Sequence, residues 1–593
     1  PYWLPALQQG QIDFGGNVEH VTFALKAVDS PALADLLIKQ LANGEMEVQQ
    51  AATAIGLIGQ LGNADELSRC LAFIHKMPGD PRGRAICLKA LVDGSENRQV
   101  RPKFTNPLAT MRSIDDESFR LQWIRAAAAW RVSDHKVDLL HAAGDDDVAG
   151  TVRMAAIEGI GRYGDRACHQ TLGKLITESP DANVRLAAVA SLLQISPMNA
   201  AQSLANLLPQ LKPENDPTLA LERVLSHKES PLHLSAGLKT KTLHPDVAKI
   251  ALRVARSAPT KTNGLQEVIR HVGELTDGAK TFSPEDIASL VADVRTKGDP
   301  QRGEQIYRRK EMQCLNCHAI GGSGGKVGPD LISIGASAPV DYLVESLVDP
   351  AAKVKENFHS ITVETDAGKV YSGIPVQRNA KQLVLRDGND QEVTIPISSI
   401  DDEREGRSLM PEGLVEPLTR DELVDLTAFL SQLGKEGDFA VGKDPLVRTW
   451  RKLIFTPEGH RRLNRTSHDT AATDDPALVW EPAYSQVSGE LFIDENLQAF
   501  EIHRGHPPVS FVRFGVEVTT AGEIELAVGE TEGLTLWVNE KPTKIARQVK
   551  LSLPSGMHTM TLAIDRTKRK SPLRIEVAPA PKSTGKVALI GGK

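Results

Sequence analysis

From about residue 18 to 285 apolar positions recur at helical spacing, and the pattern repeats. Ser118-Phe119-Arg120-Leu121-Gln122-Trp123-Ile124 aligns with Thr151-Val152-Arg153-Met154-Ala155-Ala156-Ile157, and both align with Asn183-Val184-Arg185-Leu186-Ala187-Ala188-Val189. The steps, counted from Phe119 to Val152 to Val184, are 33 and 32 residues. Val48-Gln49-Gln50-Ala51-Ala52 and the apolar stretch 85–91 follow the same scheme more loosely. Small residues at the centre of each unit let two helices approach, and larger apolar residues at i+3/i+4 seal the stack. One such helix pair cannot bury its face alone, so an all-α solenoid is expected over 1–290. Downstream the period falls to two. Ile361 and Val363, Val370 and Ile374, Leu383 and Leu385, and Val393, Ile395 and Ile397 alternate with polar residues over about 357–400, split by Asp366-Ala367-Gly368 and Asp387-Gly388-Asn389-Asp390. A small antiparallel sheet or barrel is expected there. Residues 438–486, frequent in Pro, Gly, Asp and Thr, read as a linker. From 487 to 593 short alternating runs such as 511–518 and 534–538, separated by Gly-containing turns, predict an antiparallel β-sandwich.

Composition narrows the class. The 593 residues are 41% hydrophobic and 24% charged, which suits three or four soluble globular domains. A formal net charge of −7 argues against a nucleic-acid partner, and no apolar run approaches the ~18–20 residues that span a bilayer. A start at Pro1 is expected of a processed or trimmed product. Of the five cysteines, Cys70, Cys87 and Cys168 lie singly in helical patterns and are expected to be buried thiols. The helical units resemble HEAT-like repeats, a resemblance that implies a fold and leaves function open.

The remaining two cysteines form Cys314-Leu315-Asn316-Cys317-His318. Two intervening residues place both sulfurs at one edge of a porphyrin for thioether bonds to its vinyl groups, and the next residue lies under the iron. By chance a CxxCH is expected on the order of 0.001 times in a chain of this composition. A zinc site would want two further ligands at similar spacing, and a redox dithiol a βαβ context; neither follows. One covalent haem c with its iron is therefore expected, with His318 as proximal ligand.

The surroundings resemble class I cytochromes c. Gly303-Glu304-Gln305-Ile306-Tyr307 reads as a helix with a small and an aromatic residue on one face, and Gly328-Pro329-Asp330-Leu331 follows the glycine-rich loop 321–325. Leu418-Thr419-Arg420-Asp421-Glu422-Leu423 opens a second helix, with Thr419 and Glu422 forming a capping box and Leu423, Leu426, Phe429, Leu430 and Leu433 an apolar face. The resemblance implies that the two helices cross at the glycine and that the Pro329 carbonyl accepts the second ring N–H of His318. Met410, in Ser408-Leu409-Met410-Pro411-Glu412-Gly413, is the candidate sixth ligand, and His359 is its rival. Taken whole, 298–437 is similar to the haem-binding CxxCH domain of large multidomain proteins of planctomycetes and verrucomicrobia. There HEAT-like repeats precede the cytochrome, and a sugar-dehydrogenase-like propeller often precedes the repeats.

In the last region Gly533-Leu534-Thr535-Leu536-Trp537-Val538-Asn539 and Leu553-Pro554-Ser555-Gly556-Met557-His558 resemble PA14-like or carbohydrate-binding sandwiches. That implies polysaccharide as a partner, with Trp537 the candidate stacking residue and a core position its alternative. His503 and His506 are a weaker metal-binding candidate. No P-loop, GxGxxG, HExxH or GxSxG accompanies the haem motif. The expected function is thus single-electron transfer, with a sugar- or alcohol-type dehydrogenase or a small cytochrome as redox partner. A peroxidase-type enzyme with an open sixth position and a scaffold with a structural haem are the alternatives. Haem attachment to CxxCH takes place outside the cytoplasmic membrane, so the periplasm is the expected compartment.

Overall fold

The computed structural model describes residues 37–39, 41, 46–96, 98, 100–275, 282–406, 408–442, 445–501 and 508–589. The chain divides into two compact units, Pro1–Leu275 and Thr276–Lys593.

In the first unit helices alternate between two rows. Val48–Leu61, Pro81–Glu96, Glu117–Ala129, Gly150–Ile160, Ala182–Leu192, Thr218–Leu225 and Pro245–Ser257 pack in sequence as one row. The intervening helices form the other, in which Lys136–Gly144 meets Arg166–Glu178, and Ser230–Leu238 touches both Pro197–Leu207 and Asn263–Val272. The aligned Phe119, Val152 and Val184 each occupy the third position of a first-row helix and are buried. Alanines such as Ala127, Ala156 and Ala188, fully buried, let neighbouring helices close together. The arginine after the aligned apolar residue has a job of its own. Arg153 Nε donates to Ala143 O (3.1 Å) and Arg185 Nε to Ile176 O (2.9 Å), each near the C-terminal end of the preceding helix. Arg84 Nε does the same to Met77 O at 3.0 Å. A cation there satisfies carbonyls that have no intrahelical donor and opposes the negative end of the helix dipole. Cys70, Cys87 and Cys168 are buried and unpaired, as the pattern predicts. Most of the expected solenoid before residue 46 lies outside the described residues.

The second unit opens with helix α1 (Pro284–Lys297), which packs on α4 (Val340–Val348) and α5 (Arg420–Gln432). This corrects the expected domain edge at 290: Leu290 and Val294 belong to the core that also holds Tyr307 and Phe429. Helix α2 (Pro300–Tyr307) crosses α5 at Gly303, where a Cβ would lie only 2.0 Å from Asp425 O. The crossing is pinned by Asp425, which accepts from Asp299 N (2.8 Å) and from Arg302 Nε (2.9 Å) and Nη2 (3.2 Å). The predicted capping box starts α5: Glu422 N donates to Thr419 Oγ1 at 3.2 Å and Thr419 N to Glu422 Oε2 at 2.9 Å.

Between α4 and α5 lies the inserted sheet. After the short antiparallel pair β1 (Ala319–Ile320) and β2 (Ser323–Gly324) that precedes α4, strands β3 (Ile361–Thr365), β4 (Val370–Arg378), β5 (Gln382–Arg386), β6 (Glu392–Pro396) and β7 (Ile400–Glu405) pair antiparallel in the order β6-β5-β4-β3-β7. The insertion runs a few residues past the expected end at 400 because β7, almost wholly polar, pairs along β3. Val363, Leu383, Leu385 and Ile395 form its small core.

The largest correction concerns 438–486. That segment is folded: β8 (Thr449–Leu453) and β9 (Trp480–Tyr484) are members of the C-terminal sheet. With β10 (Val509–Thr520), β11 (Gly522–Val528), β12 (Leu534–Val538), β13 (Lys541–Thr543), β14 (Gln548–Leu553), β15 (Gly556–Asp565), β16 (Ile575–Pro579) and β17 (Lys586–Leu589), they make two antiparallel sheets. One has the order β13-β12-β15-β10-β8-β9 with β17 also on β10, and the other β14-β11-β16. Inward residues of both, among them Phe514, Val516, Leu562, Ile524, Leu526 and Val577, share one core. Polar residues flanking and between the two short strands hid them. Trp450 is nevertheless buried and donates through Nε1 to Ser485 Oγ (2.8 Å).

This sandwich is fastened to the helices that precede it. Glu304 Oε1 on α2 accepts from Val487 N at 2.7 Å and from Arg308 Nη2 at 2.6 Å, and Val487 is a member of the α2–α5 core. Thr449 Oγ1 donates to Ser323 Oγ at 3.1 Å, both residues being buried.

Candidate functional site

Cys314–Cys317 form a single helical turn (α3), entered through Gln313 in a left-handed conformation (φ 54°). The loop that follows folds back on this turn. Gly325 N donates to Leu315 O (2.8 Å), Gly328 N to Cys317 O (2.7 Å) and Leu331 N to Ala319 O (2.8 Å). The Asp330 carboxylate closes the loop by accepting from Gly321 N, Gly322 N and Ile332 N at 2.7–2.9 Å.

His318 is held from two directions. Its Nδ1 lies 2.9 Å from Pro329 O. A carbonyl can only accept, so Nδ1 carries the hydrogen and Nε2 keeps its lone pair for a ligand. From behind, the Tyr307 hydroxyl donates to the His318 carbonyl at 3.1 Å. Gly328 makes room for the ring: a Cβ there would lie 2.3 Å from His318 Cε1. Burial lowers the His318 pKa, opposed in part by the hydrogen bond to Pro329, which favours the neutral ring that a metal needs. Burial pushes the Cys314 thiol up to about 12 and raises the Tyr307 phenol well above its ordinary value.

A cavity of about 260 Å³ opens beside this turn. Cys314, Cys317, His318, Pro329 and Met410 all stand on its wall. The rest is mostly apolar, with Leu343, Leu347, Phe358, Leu426 and Leu430 among the lining residues. Met410 is partly buried and its backbone N donates to Ser408 Oγ at 3.2 Å. His359, the rival ligand, is exposed and not on this wall. The inserted sheet takes part: Ile374 and Gly388 line the cavity, Lys326 N donates to Asp390 Oδ2 (3.1 Å), and Arg386 Nη1 donates to Lys326 O (3.1 Å). Sequence reasoning missed this role of the insertion, along with the tasks of Gly328, Asp330 and Tyr307, although all three lie in segments it had singled out.

Comparison with known families adds to the first unit. Residues 105–193 and 137–226 match HEAT repeats. The HEAT match spans the three aligned segments from which the repeat was read. No curated protein matches the chain.

The other candidates fare differently. Trp537 is buried and donates through Nε1 to Asp469 Oδ1 (2.8 Å), so it offers no face to a sugar ring. His503 and His506 lie outside the described residues. Among the described residues no group of three or more His, Cys, Asp or Glu side chains is arranged so that together they could hold a metal ion. Among those residues, too, no helix is long and apolar enough to cross a membrane.

Proposed function

We propose that the region around Cys314–His318 is a c-type cytochrome that passes single electrons. The observation that carries this reading is the convergence of Cys314, Cys317, His318, Pro329 and Met410, 96 positions apart at the extremes, on one apolar cavity. The wall suits a porphyrin in three further ways. His318 presents Nε2 with its other nitrogen fixed by Pro329. Gly328 leaves the ring its space. Ser346 Oγ is buried on the wall with no hydrogen-bond partner, as expected where a polar group of a ligand belongs. The Cys314 thiol, pushed up to about 12, argues against a redox dithiol, which works through a thiolate.

Haem iron, when bound, supplies one-electron exchange between its ferric and ferrous states. The chain's own residues do the rest. Cys314 and Cys317 would hold the ring by thioether bonds, and His318 would ligate the iron through Nε2. Met410 would be its second protein ligand, a soft sulfur that would favour the ferrous state. Leu343, Leu347, Leu426 and Leu430 exclude water and so limit reorganisation between oxidation states. With His318 and Met410 both as ligands, substrates would be kept from the iron, which would favour electron transfer over peroxidase chemistry. A dehydrogenase of sugar or alcohol type, separate or joined upstream, is the proposed donor, a small cytochrome the proposed acceptor, and the periplasm the proposed compartment. The HEAT repeats would offer the docking surface.

Thiol titration of the denatured protein tests the tether. Three of the five cysteines should react, because two are thioethers; five reactive thiols would overturn the reading. The ligand is tested by Met410→Ala. Ferric protein should show the weak long-wavelength charge-transfer band of iron–methionine bonding, and the variant should lose it and bind carbon monoxide rapidly when ferrous. An unchanged band, or rapid carbon monoxide binding by the parent protein, would remove Met410 and restore the peroxidase alternative.

A further inference from the structure

Porphyrin is apolar across most of its area but ends in two propionate carboxylates. A buried carboxylate without donors is costly, so a cavity built for haem must offer some. Some polar side chains on this wall are committed elsewhere. Lys353 Nζ pairs with Glu345 and lies 5.4 Å from the centre of the Tyr342 ring, and Ser408 Oγ is occupied by Met410 N. Among the others, two stand out. Ser346, on the last turn of α4, points a buried hydroxyl at the cavity without bonding even to the helix carbonyls behind it. Lys355 is exposed, stands on the same wall, and has no carboxylate partner among the described residues. Their chemistry is complementary: a neutral donor where water is excluded, and a cation where solvent reaches.

Resting on the cytochrome reading, we infer that Ser346 and Lys355 form the carboxylate subsite of this cavity, receiving the haem propionates. Ser346 Oγ donates to a carboxylate oxygen inside the cavity. Lys355 Nζ neutralises the carboxylates at its mouth.

The test uses the full-length holoprotein with Ser346→Ala, Lys355→Gln and the double variant. Resonance Raman spectra report hydrogen bonding to propionates through their bending modes, and these modes should shift in each variant and most in the double. Removing the Lys355 charge should also move the reduction equilibrium roughly two- to fivefold towards the ferric form, the range for an exposed charge pair. The methionine charge-transfer band should stay, since neither residue touches the axial ligands. Unshifted propionate modes together with an unchanged reduction equilibrium would overturn the subsite while leaving the cytochrome reading intact. A protein with five titratable thiols and no haem spectrum would fail at the parent reading instead.

Discussion

Replacing Glu304 by alanine tests whether the helices around Cys314–His318 and the C-terminal sandwich fold as one body. Its carboxylate is 5% exposed and its partner, the Arg308 guanidinium, 12%. One oxygen, Oε1, accepts from Arg308 Nε (3.0 Å) and Nη2 (2.6 Å), and from the backbone of Val487 (2.7 Å). Truncation leaves a guanidinium without its counter-ion and a buried N–H without an acceptor. Breaking one side of a buried pair in this way costs about 3–5 kcal/mol. For a unit as long as Thr276–Lys593, at about 2 °C per kcal/mol, the melting point should fall by roughly 6–10 °C. Differential scanning calorimetry combined with haem absorbance measures this. Both signals should move together, because Val487 sits inside the α2–α5 core. Glu304→Gln keeps an acceptor for Val487 N–H and should recover part of the loss. A Glu304→Ala protein melting within about 2 °C of the parent, or absorbance and calorimetric transitions that separate, would refute the coupling.

Further outcomes are expected elsewhere. Gly328→Ala would place a Cβ 2.3 Å from a ring already held by Pro329; haem incorporation should fall or the His318 geometry distort, seen as a shifted Soret band and a destabilisation of about 1–3 kcal/mol. The Asp165 carboxyl is held down at about 2 by the Lys136 ammonium and the Cys168 N–H. Because the folded value lies below the unfolded one, its stabilisation is complete above pH ~4 and lost as pH falls towards 2. Asp165→Asn should therefore cost below about 1 kcal/mol at neutral pH, given that both side chains are roughly one-third exposed, with the gap from the parent closing between pH 4 and 2 in chemical denaturation. Burial pushes the thiols of Cys70, Cys87 and Cys168 up to about 12, 11 and 11, so none should react with a disulfide reagent at pH 8 until the solenoid unfolds.

The parts that were legible in the sequence share a cause. The solenoid shows because each unit repeats the same burial problem, and Phe119, Val152 and Val184 solve it at the same helical position. The cavity wall shows because the Cys-x-x-Cys-His spacing and the capped start of α5 are local, written over a few residues. What stayed hidden is non-local or carried by backbone. Strand β8 reads as linker because its partners, β9 and β10, are supplied by distant segments, and its two large apolar residues, Trp450 and Leu453, face opposite sides into different cores. The part that Gly388 and Ile374 play at the cavity depends on where the inserted sheet comes to rest, which alternation cannot tell. Asp330 works through three backbone N–H groups, and a carboxylate's choice of amides leaves no trace in residue type. Trp537 was ambiguous for another reason: its position in an alternating run fits either face, and burial decides it.

The helix crossing at Gly303 carries a consequence for the order of events in the cell. Gly303 meets Asp425, 122 residues further along the chain. Bringing those ends together costs roughly 4 kcal/mol of loop entropy before any contact compensates for it. A chain emerging from its N-terminus therefore presents the turn Cys314–Cys317 long before α5 exists to cover it. During that interval both sulfurs and the imidazole stand open to solvent. On the proposed cytochrome reading attachment can therefore precede enclosure, and the late-arriving helix covers a ring that is already tethered.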